Sequence, residues 1–266
     1  MSAGPAARRF ALRWAVFAAG IAVWQVAATA ADDTFFPPPS RIAGTAFGMW
    51  FSGPAGRLWL TEGAVHNLLP SLGRMLLGLA IAAVAGVGGG LAVGRSERAR
   101  AYLDPLTQFF RAIPPPTLVA VFIVIFRIGT QMEVATIVFG TVWPILLNTT
   151  DGVRAVDPLH LDTAAAFRLS RAQVLFRVVV PGAAPKVFAG LRLALSLSLI
   201  LMVFSELVGS TNGIGYQLVN AQSTYDLPAM WAAVLLLGVL GYLLNTLLLV
   251  AERVLLRWHR ASQLGE

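Results

Sequence analysis

Residues 75–94 read MLLGLAIAAVAGVGGGLAVG, 20 positions without a charge between Arg74 and Arg95. A helix rises about 1.5 Å per residue, so a run of about 20 apolar residues crosses the hydrocarbon core of a bilayer. Its small residues fit that reading, because in lipid they let a neighbouring backbone approach. Gly86, Gly88, Gly89 and Gly90 are therefore expected to form a close-packing surface rather than a phosphate loop. Working outward, uncharged runs recur at 14–31, 134–150 and 227–251. Two further runs are less clean. Residues 105–126 contain Arg111 and the triplet Pro114-Pro115-Pro116; residues 187–209 contain Arg192 and Glu206. Backbone groups at membrane depth must bond internally, which favours helices throughout. The expectation is an all-α integral membrane protein with six transmembrane helices.

Composition agrees. The 266-residue chain is 57% hydrophobic and 12% charged, against about 45–50% and about 25% for soluble domains. There is no cysteine, which excludes a disulfide framework and thiolate metal sites. His66, His160 and His259 share no ligand spacing, so no metal site is expected. No cluster of His, Cys or intramembrane carboxylates is visible for acid–base work, so no catalytic residue is assigned and an enzyme is not expected. The single lysine, Lys186, follows Ala184-Pro185, and no Gly-Lys-Ser/Thr phosphate loop exists. The chain is thus expected to carry no nucleotide or other cofactor of its own.

The net charge of +7 would suggest nucleic acid in a soluble chain. Here it is read as loop asymmetry, with no nucleic-acid partner. With the N-terminus inside, most of the 20 basic residues fall on inner segments: Arg8, Arg9 and Arg13; Arg95, Arg98 and Arg100; Arg154 to Arg192; Arg253, Arg257 and Arg260. Arg74 is left at an outer border. This bias places both termini in the cytoplasm. At the N-terminus, basic residues, an apolar run and Ala28-Thr29-Ala30 also fit a secretory leader. The run is long for a leader core and Trp24-Gln25 interrupts it, so a retained first helix is favoured. The outer segment after it opens Phe35-Phe36-Pro37-Pro38-Pro39. Ser40 is expected to cap a short helix whose Phe47, Trp50 and Phe51 lie at the headgroups. In domain terms, residues 1–64 hold the first helix and this outer segment, 65–256 the core with its loop 157–181, and 257–266 a cytoplasmic tail.

The inner segment between the fourth and fifth spans, 151–186, exceeds ordinary loop length. Asp157-Pro158 is a helix start, a capping carboxylate before a proline at the first helical position. Asp162-Thr163-Ala164-Ala165-Ala166-Phe167 continues it. Ser170-Arg171-Ala172-Gln173 has the spacing of a reciprocal cap, and a second helix should follow from Val174 and end at Pro181-Gly182. The segment reads as helix, turn near Leu169, helix. The alanines would admit a close neighbour, Phe167 would anchor it, and Arg168, Arg171 and Arg177 would form a basic rim. Such a surface suits a soluble partner, and it equally suits an amphipathic pair lying on anionic lipid.

The segment resembles the EAA loop of ATP-binding-cassette importer permeases, with Asp162 as the acidic residue, Thr163-Ala164 as the small pair and Val180-Pro181 as the close. The chain as a whole is similar to the permease subunits of nitrate/sulfonate/taurine-type importers. Further matching stretches are Ser71-Leu72-Gly73-Arg74, Asp104-Pro105-Leu106, Arg111-Ala112-Ile113-Pro114-Pro115, Pro144-Ile145-Leu146-Leu147-Asn148-Thr149, Gly190-Leu191-Arg192-Leu193-Ala194 and Ser205-Glu206-Leu207-Val208-Gly209 with Gly213-Ile214-Gly215-Tyr216. The similarity covers about residues 65–256. Asp162 stands for the usual Glu, and Arg168 stands where many relatives have Gly. A glycine would suit a left-handed turn; arginine suggests a turn made differently or a helix one residue longer.

The resemblance implies a permease of the bacterial inner membrane. Two copies of the chain would form a pathway for a small anionic solute such as a sulfonate, nitrate or taurine. Two separate ATP-binding subunits would dock inside, and a soluble solute-binding protein would deliver from outside. The coupling residues it implies are Asp162 (cap or polar contact), Thr163, Ala164, Phe167 (anchor), Arg168, Ser170 and Pro181. For the pathway or gate the candidates are Arg111, Pro114, Pro115 and Glu206. Proline breaks are tolerated where backbone lines a cavity. Arg111 has a snorkelling alternative, and so has Glu206, a gate or docking contact on the first reading and an end residue reaching water on the second. The rival class is a secondary transporter or channel, which predicts paired broken helices and internal repeats; one break and no evident symmetry are present.

Overall fold

A computed structural model describes residues 5–257, with side chains from residue 14 onward. The tail beyond Arg257, with His259 and Arg260, and the side chains of Arg8, Arg9 and Arg13 lie outside the described residues. The described chain is helical, with no strand in it. In order the helices are α1 (Pro5–Ala31), α2 (Pro39–Ala46), α3 (Leu69–Gly94), α4 (Glu97–Ala112), α5 (Leu118–Phe126), α6 (Thr130–Arg154), α7 (Pro158–Ala166), α8 (Arg171–Val174), α9 (Val180–Gly209), α10 (Ile214–Ser223) and α11 (Leu227–Leu255).

Five stretches are long and apolar enough to span a membrane: Trp14–Ala31, Ala64–Gly94, Thr130–Arg154, Arg171–Gly209 and Leu227–Leu255. The sixth is a broken pair. Glu97–Ala112 and Pro115–Phe126 meet at 72°. The cause is local. Pro114, Pro115 and Pro116 cannot donate to the helix ladder, and Pro114 forces the preceding Ile113 into extended backbone, φ −73° and ψ 120°.

α3, α6 and α9 form the centre, with α6 between the other two. Small residues set how closely they pack. A Cβ added at Gly78 would lie 2.7 Å from Ile137 Cγ2, at Gly86 2.8 Å from Ile145 Cβ, at Gly90 2.5 Å from Thr149 Cβ and at Gly94 2.7 Å from Val153 Cβ. These positions and Ala82 recur every four residues on one face of α3, the small-residue stripe of membrane helix pairs. Of the four glycines singled out in sequence, Gly86 and Gly90 lie in this stripe, whereas Gly88 faces open space. On the far side of α6, a Cβ at Gly152 would meet Ala183 O at 2.9 Å, and one at Gly190 would meet Pro144 O at 3.0 Å. Met75, Ile137, Leu201, Met202 and Ile214 fill the space between the helices.

The segment after α1 departs from expectation. Ser40 caps nothing; α2 starts at Pro39 behind Pro38, and the Ser40 N–H donates to Gln25 Oε1. Trp50 does not sit at the headgroups. It is fully buried in the core, and its Nε1 donates to Gln217 Oε1 at 3.3 Å. Phe47 and Phe51 remain exposed. The stiff prolines turn the chain back so that α2 packs on α11, and Trp231 Nε1 donates to Phe35 O at 3.0 Å.

The second loop helix does not stop at Pro181-Gly182. A π-helical turn, Leu175–Val179, joins α8 to α9, and Pro181 falls in the first turn of α9. Pro181 has no N–H to give the helical ladder, and the wider π-helical turn lies immediately before it. The loop therefore continues without a break into the fifth span.

Candidate functional site

Three places hold the candidate residues. The first is the turn between α7 and α8. Asp157 caps α7, its Oδ1 accepting from Leu159 N at 2.8 Å. Asp162 is mid-helix, exposed, and caps nothing. Thr163 Oγ1 donates to Leu159 O at 2.7 Å within the helix. Ser170 and Gln173 form the reciprocal cap that their spacing predicts, each side chain accepting from the other's backbone N–H at 2.8 and 3.3 Å.

The turn itself is left-handed after all, and an arginine makes it. Arg168 has φ +51°. Its N–H donates to Ala165 O at 2.9 Å, and the Leu169 N–H to Ala164 O at 3.0 Å. These bonds close the helix as a glycine would, so neither alternative geometry is used. Ala164 is buried within the chain, 3% exposed, and is not part of an open patch; Ala165 and Ala166 are exposed. Phe167 projects, 77% exposed, among exposed Arg168, Arg171 and Arg177. Two capped ends and a closed turn hold this apolar tip on a stiff mount.

The second place is the break in the third span. Arg111 is not inside an unbroken span. It is exposed in the last turn of α4, just before the bend. Pro114 is exposed, and Pro115 packs against α6 at Gly140. Beside them Phe110 and Trp143 lie parallel with ring centres 5.8 Å apart, and Phe139 meets both edge-on.

The third place surrounds Glu206. This carboxylate does not snorkel; it is 1% exposed. Its Oε1 accepts from Ser71 Oγ at 2.6 Å and from Arg74 Nη1 at 3.1 Å, and its Oε2 from Gly215 N at 2.9 Å. Arg74, 8% exposed, also pairs through Nε with Glu133 Oε2 at 2.8 Å and reaches both the carbonyl and the side-chain oxygen of Asn212. Glu133 is 1% exposed. Two intramembrane carboxylates thus do cluster, contrary to the sequence reading, and share one guanidinium. The N-terminus of α10 completes the site: Gly213 N donates to Asn67 Oδ1 at 2.9 Å and Ile214 N to Ser71 Oγ at 3.0 Å. A helix N-terminus carries about half a positive charge, which offsets the second carboxylate. Gly213 has φ +124°, and a Cβ there would lie 2.4 Å from the Glu206 carboxyl carbon.

Sequence reasoning placed Arg74 at a border and did not single out Glu133, Ser71, Asn67 or Asn212. A signal was present: Asn67, Ser71 and Arg74 recur at four and three residues, a polar stripe on an otherwise apolar helix. The three places are distinct. The turn and Glu206 lie at opposite ends of one continuous stretch, Arg171–Gly209, and the break packs against the middle of α6. Among the described residues no group of three or more His, Cys, Asp or Glu could hold a metal ion.

A family model described as "Binding-protein-dependent transport system inner membrane component" matches residues 69–260. The chain is 29% identical over 265 residues to the taurine transport system permease protein TauC of Escherichia coli, covering 97% of this chain and 94% of that protein. It is 35% identical over 199 residues to the bicarbonate transport system permease protein CmpB of Synechococcus elongatus, covering 74% and 72%. In fold it resembles a chain of the inward-facing MetNI methionine ABC transporter, with TM-score 0.63 and 19% identity, covering 74% of this chain and 99% of that one.

Proposed function

The chain belongs to the family of binding-protein-dependent transport system inner membrane components, and from that premise we propose how this permease works. It is a multi-pass, membrane-embedded component of an ATP-binding-cassette importer and not an enzyme. Two copies line the pathway. Two ATP-binding subunits, which carry the nucleotide chemistry, dock on the cytoplasmic side at the α7–α8 turn. A soluble binding protein delivers solute at the opposite face. The basic bias of the loops supports this orientation, with both termini in the cytoplasm.

The observation that carries the reading is mechanical. Phe167 is 77% exposed at the tip of a capped turn, and that turn runs without interruption into the stretch Arg171–Gly209. A push on Phe167 therefore moves a spanning helix rather than bending a loop. Phe167 is the anchor, the exposed Asp162 is a polar contact beside it, and Thr163, Ala164, Arg168, Ser170 and Pro181 hold the shape. Arg111 and Pro114 face the pathway at the break of the third span, and Pro115 seats the break on α6 at Gly140. Taurine and bicarbonate, named for two relatives, share an oxyanion. The solute proposed here is a small molecule carrying one, with Arg111 as the exposed cation nearest the break.

The test is a pull-down of the ATP-binding subunit with Phe167→Ala. Truncating a central aromatic anchor costs about 2 kcal/mol or more, so Kd should rise about 30-fold while membrane insertion is unchanged. Undiminished capture would reject the turn as the docking tip.

A further inference from the structure

The charge cluster ties together the two helices that flank the inner turn. α6 ends at Arg154 and leads into the α7–α8 turn; the stretch Arg171–Gly209 leaves it. At the ends remote from that turn, α6 carries Glu133 and α9 carries Glu206, and both carboxylates bind the one guanidinium of Arg74 on α3. The same Glu206 also accepts from Gly215 N, and Ser71 accepts from Ile214 N, so α10 hangs from the joint by its first N–H groups. Gly213 and Gly215 allow this closeness. A Cβ on Gly215 would lie 2.6 Å from Val203 O, and one on Gly213 would strike the Glu206 carboxylate. The outer side of α10 and its exit is polar and exposed at Asn220, Gln222, Ser223 and Asp226, with Tyr216 and Tyr225 exposed beside them.

We propose that Arg74 and Glu206 are positioning residues that clamp α6, α9 and α10 into one rigid unit, so that displacement of the inner turn arrives at α10 on the opposite face, where the binding protein docks. This rests on the importer reading above. Helix geometry makes the transfer efficient. α6 and α9 span roughly 37 and 45 Å at about 1.5 Å per residue, and small residues pack them without slack. Without the distal clamp, α9 could move while α10 stayed behind. Glu133 completes the clamp. Its Oε2 lies 2.8 Å from Arg74 Nε, and this ion pair ties the outer end of α6 to α3.

The experiment uses the full transporter, permease with its ATP-binding subunit and binding protein, in nanodiscs. The readout is the ratio of ATPase rate with binding protein to the rate without it. Glu206→Gln keeps the side-chain shape but removes the charge that Arg74 and the α10 N–H groups share. The ratio should fall at least five-fold; a ratio within two-fold of wild type overturns the proposal. A second measurement covers failure of that variant to assemble. The chain has no cysteine, so Asn220→Cys in an otherwise native background accepts a single spin label on α10. The distance between the labels on the two permease copies should change on nucleotide trapping, and an unchanged distance overturns the clamp. If the unmodified permease fails to capture the ATP-binding subunit, the importer reading fails instead, which separates the two.

Discussion

Arg74 shows how one residue sets the tolerance of the outer end. It is 8% exposed and pairs with two carboxylates that are each 1% exposed. Removing one partner of a buried ion pair leaves an uncompensated charge and costs about 3–5 kcal/mol. Arg74→Ala should therefore lower the Tm of the detergent-solubilised protein sharply, whereas Arg100→Ala, which breaks the exposed pair with Asp104, should shift it little. Equal Tm for the two variants would mean that the cluster contributes no stability. At the other end, Arg168 holds φ +51°, a conformation that costs a residue with a Cβ roughly 1 kcal/mol. Its side chain is exposed, so Arg168→Gly gives up little contact. It should stabilise the turn by about that amount, read as slower exchange of the Leu169 amide, which donates to Ala164 O. Faster exchange would show that the arginine side chain holds the turn.

The helices divide by what fixes them. Those set by apolar runs between charges were legible: α1, α3, α6, α9 and α11 all cover predicted stretches, because run length alone satisfies the membrane. The cap at Ser170 was legible because its two residues are neighbours in sequence. The course of the chain past Pro181 was not. It depends on the π-helical turn at Leu175–Val179, which shifts register by a residue that no local rule announces. Trp50 was misread for a related reason: its aromatic signature fits headgroups, and only the fold-back of α2 onto α11 buries it. Packing of α3 on α6 gives a prediction with an internal control. A Cβ at Gly90 would lie 2.5 Å from Thr149 Cβ, while nothing stands within 4 Å at Gly88. Gly90→Leu should destabilise by about 1–3 kcal/mol through overpacking, and Gly88→Leu should be tolerated, as measured by thermal unfolding in detergent. The same loss from both would place the contact face elsewhere.

Across the whole molecule, one end presents Phe167 on a stiff turn and the other presents α10 on a buried charge cluster, with three close-packed helices between. The turn was legible because its caps and its resemblance to a known loop are written in consecutive residues. Arg74, Glu133 and Glu206 are far apart in sequence, and only the crossing of α3, α6 and α9 brings them together, so no linear reading could pair them. The sequence contains no phosphate loop, and on the proposed reading the energy for transport comes from a separate ATP-binding subunit. The most direct test reconstitutes the purified permease into liposomes, alone and with its ATP-binding subunit and binding protein, and follows uptake of a labelled oxyanion solute such as taurine or bicarbonate. Uptake is predicted only from the complete assembly with ATP. Movement of solute down its gradient through the permease alone, at a rate that ATP and the partners do not change, would contradict the account.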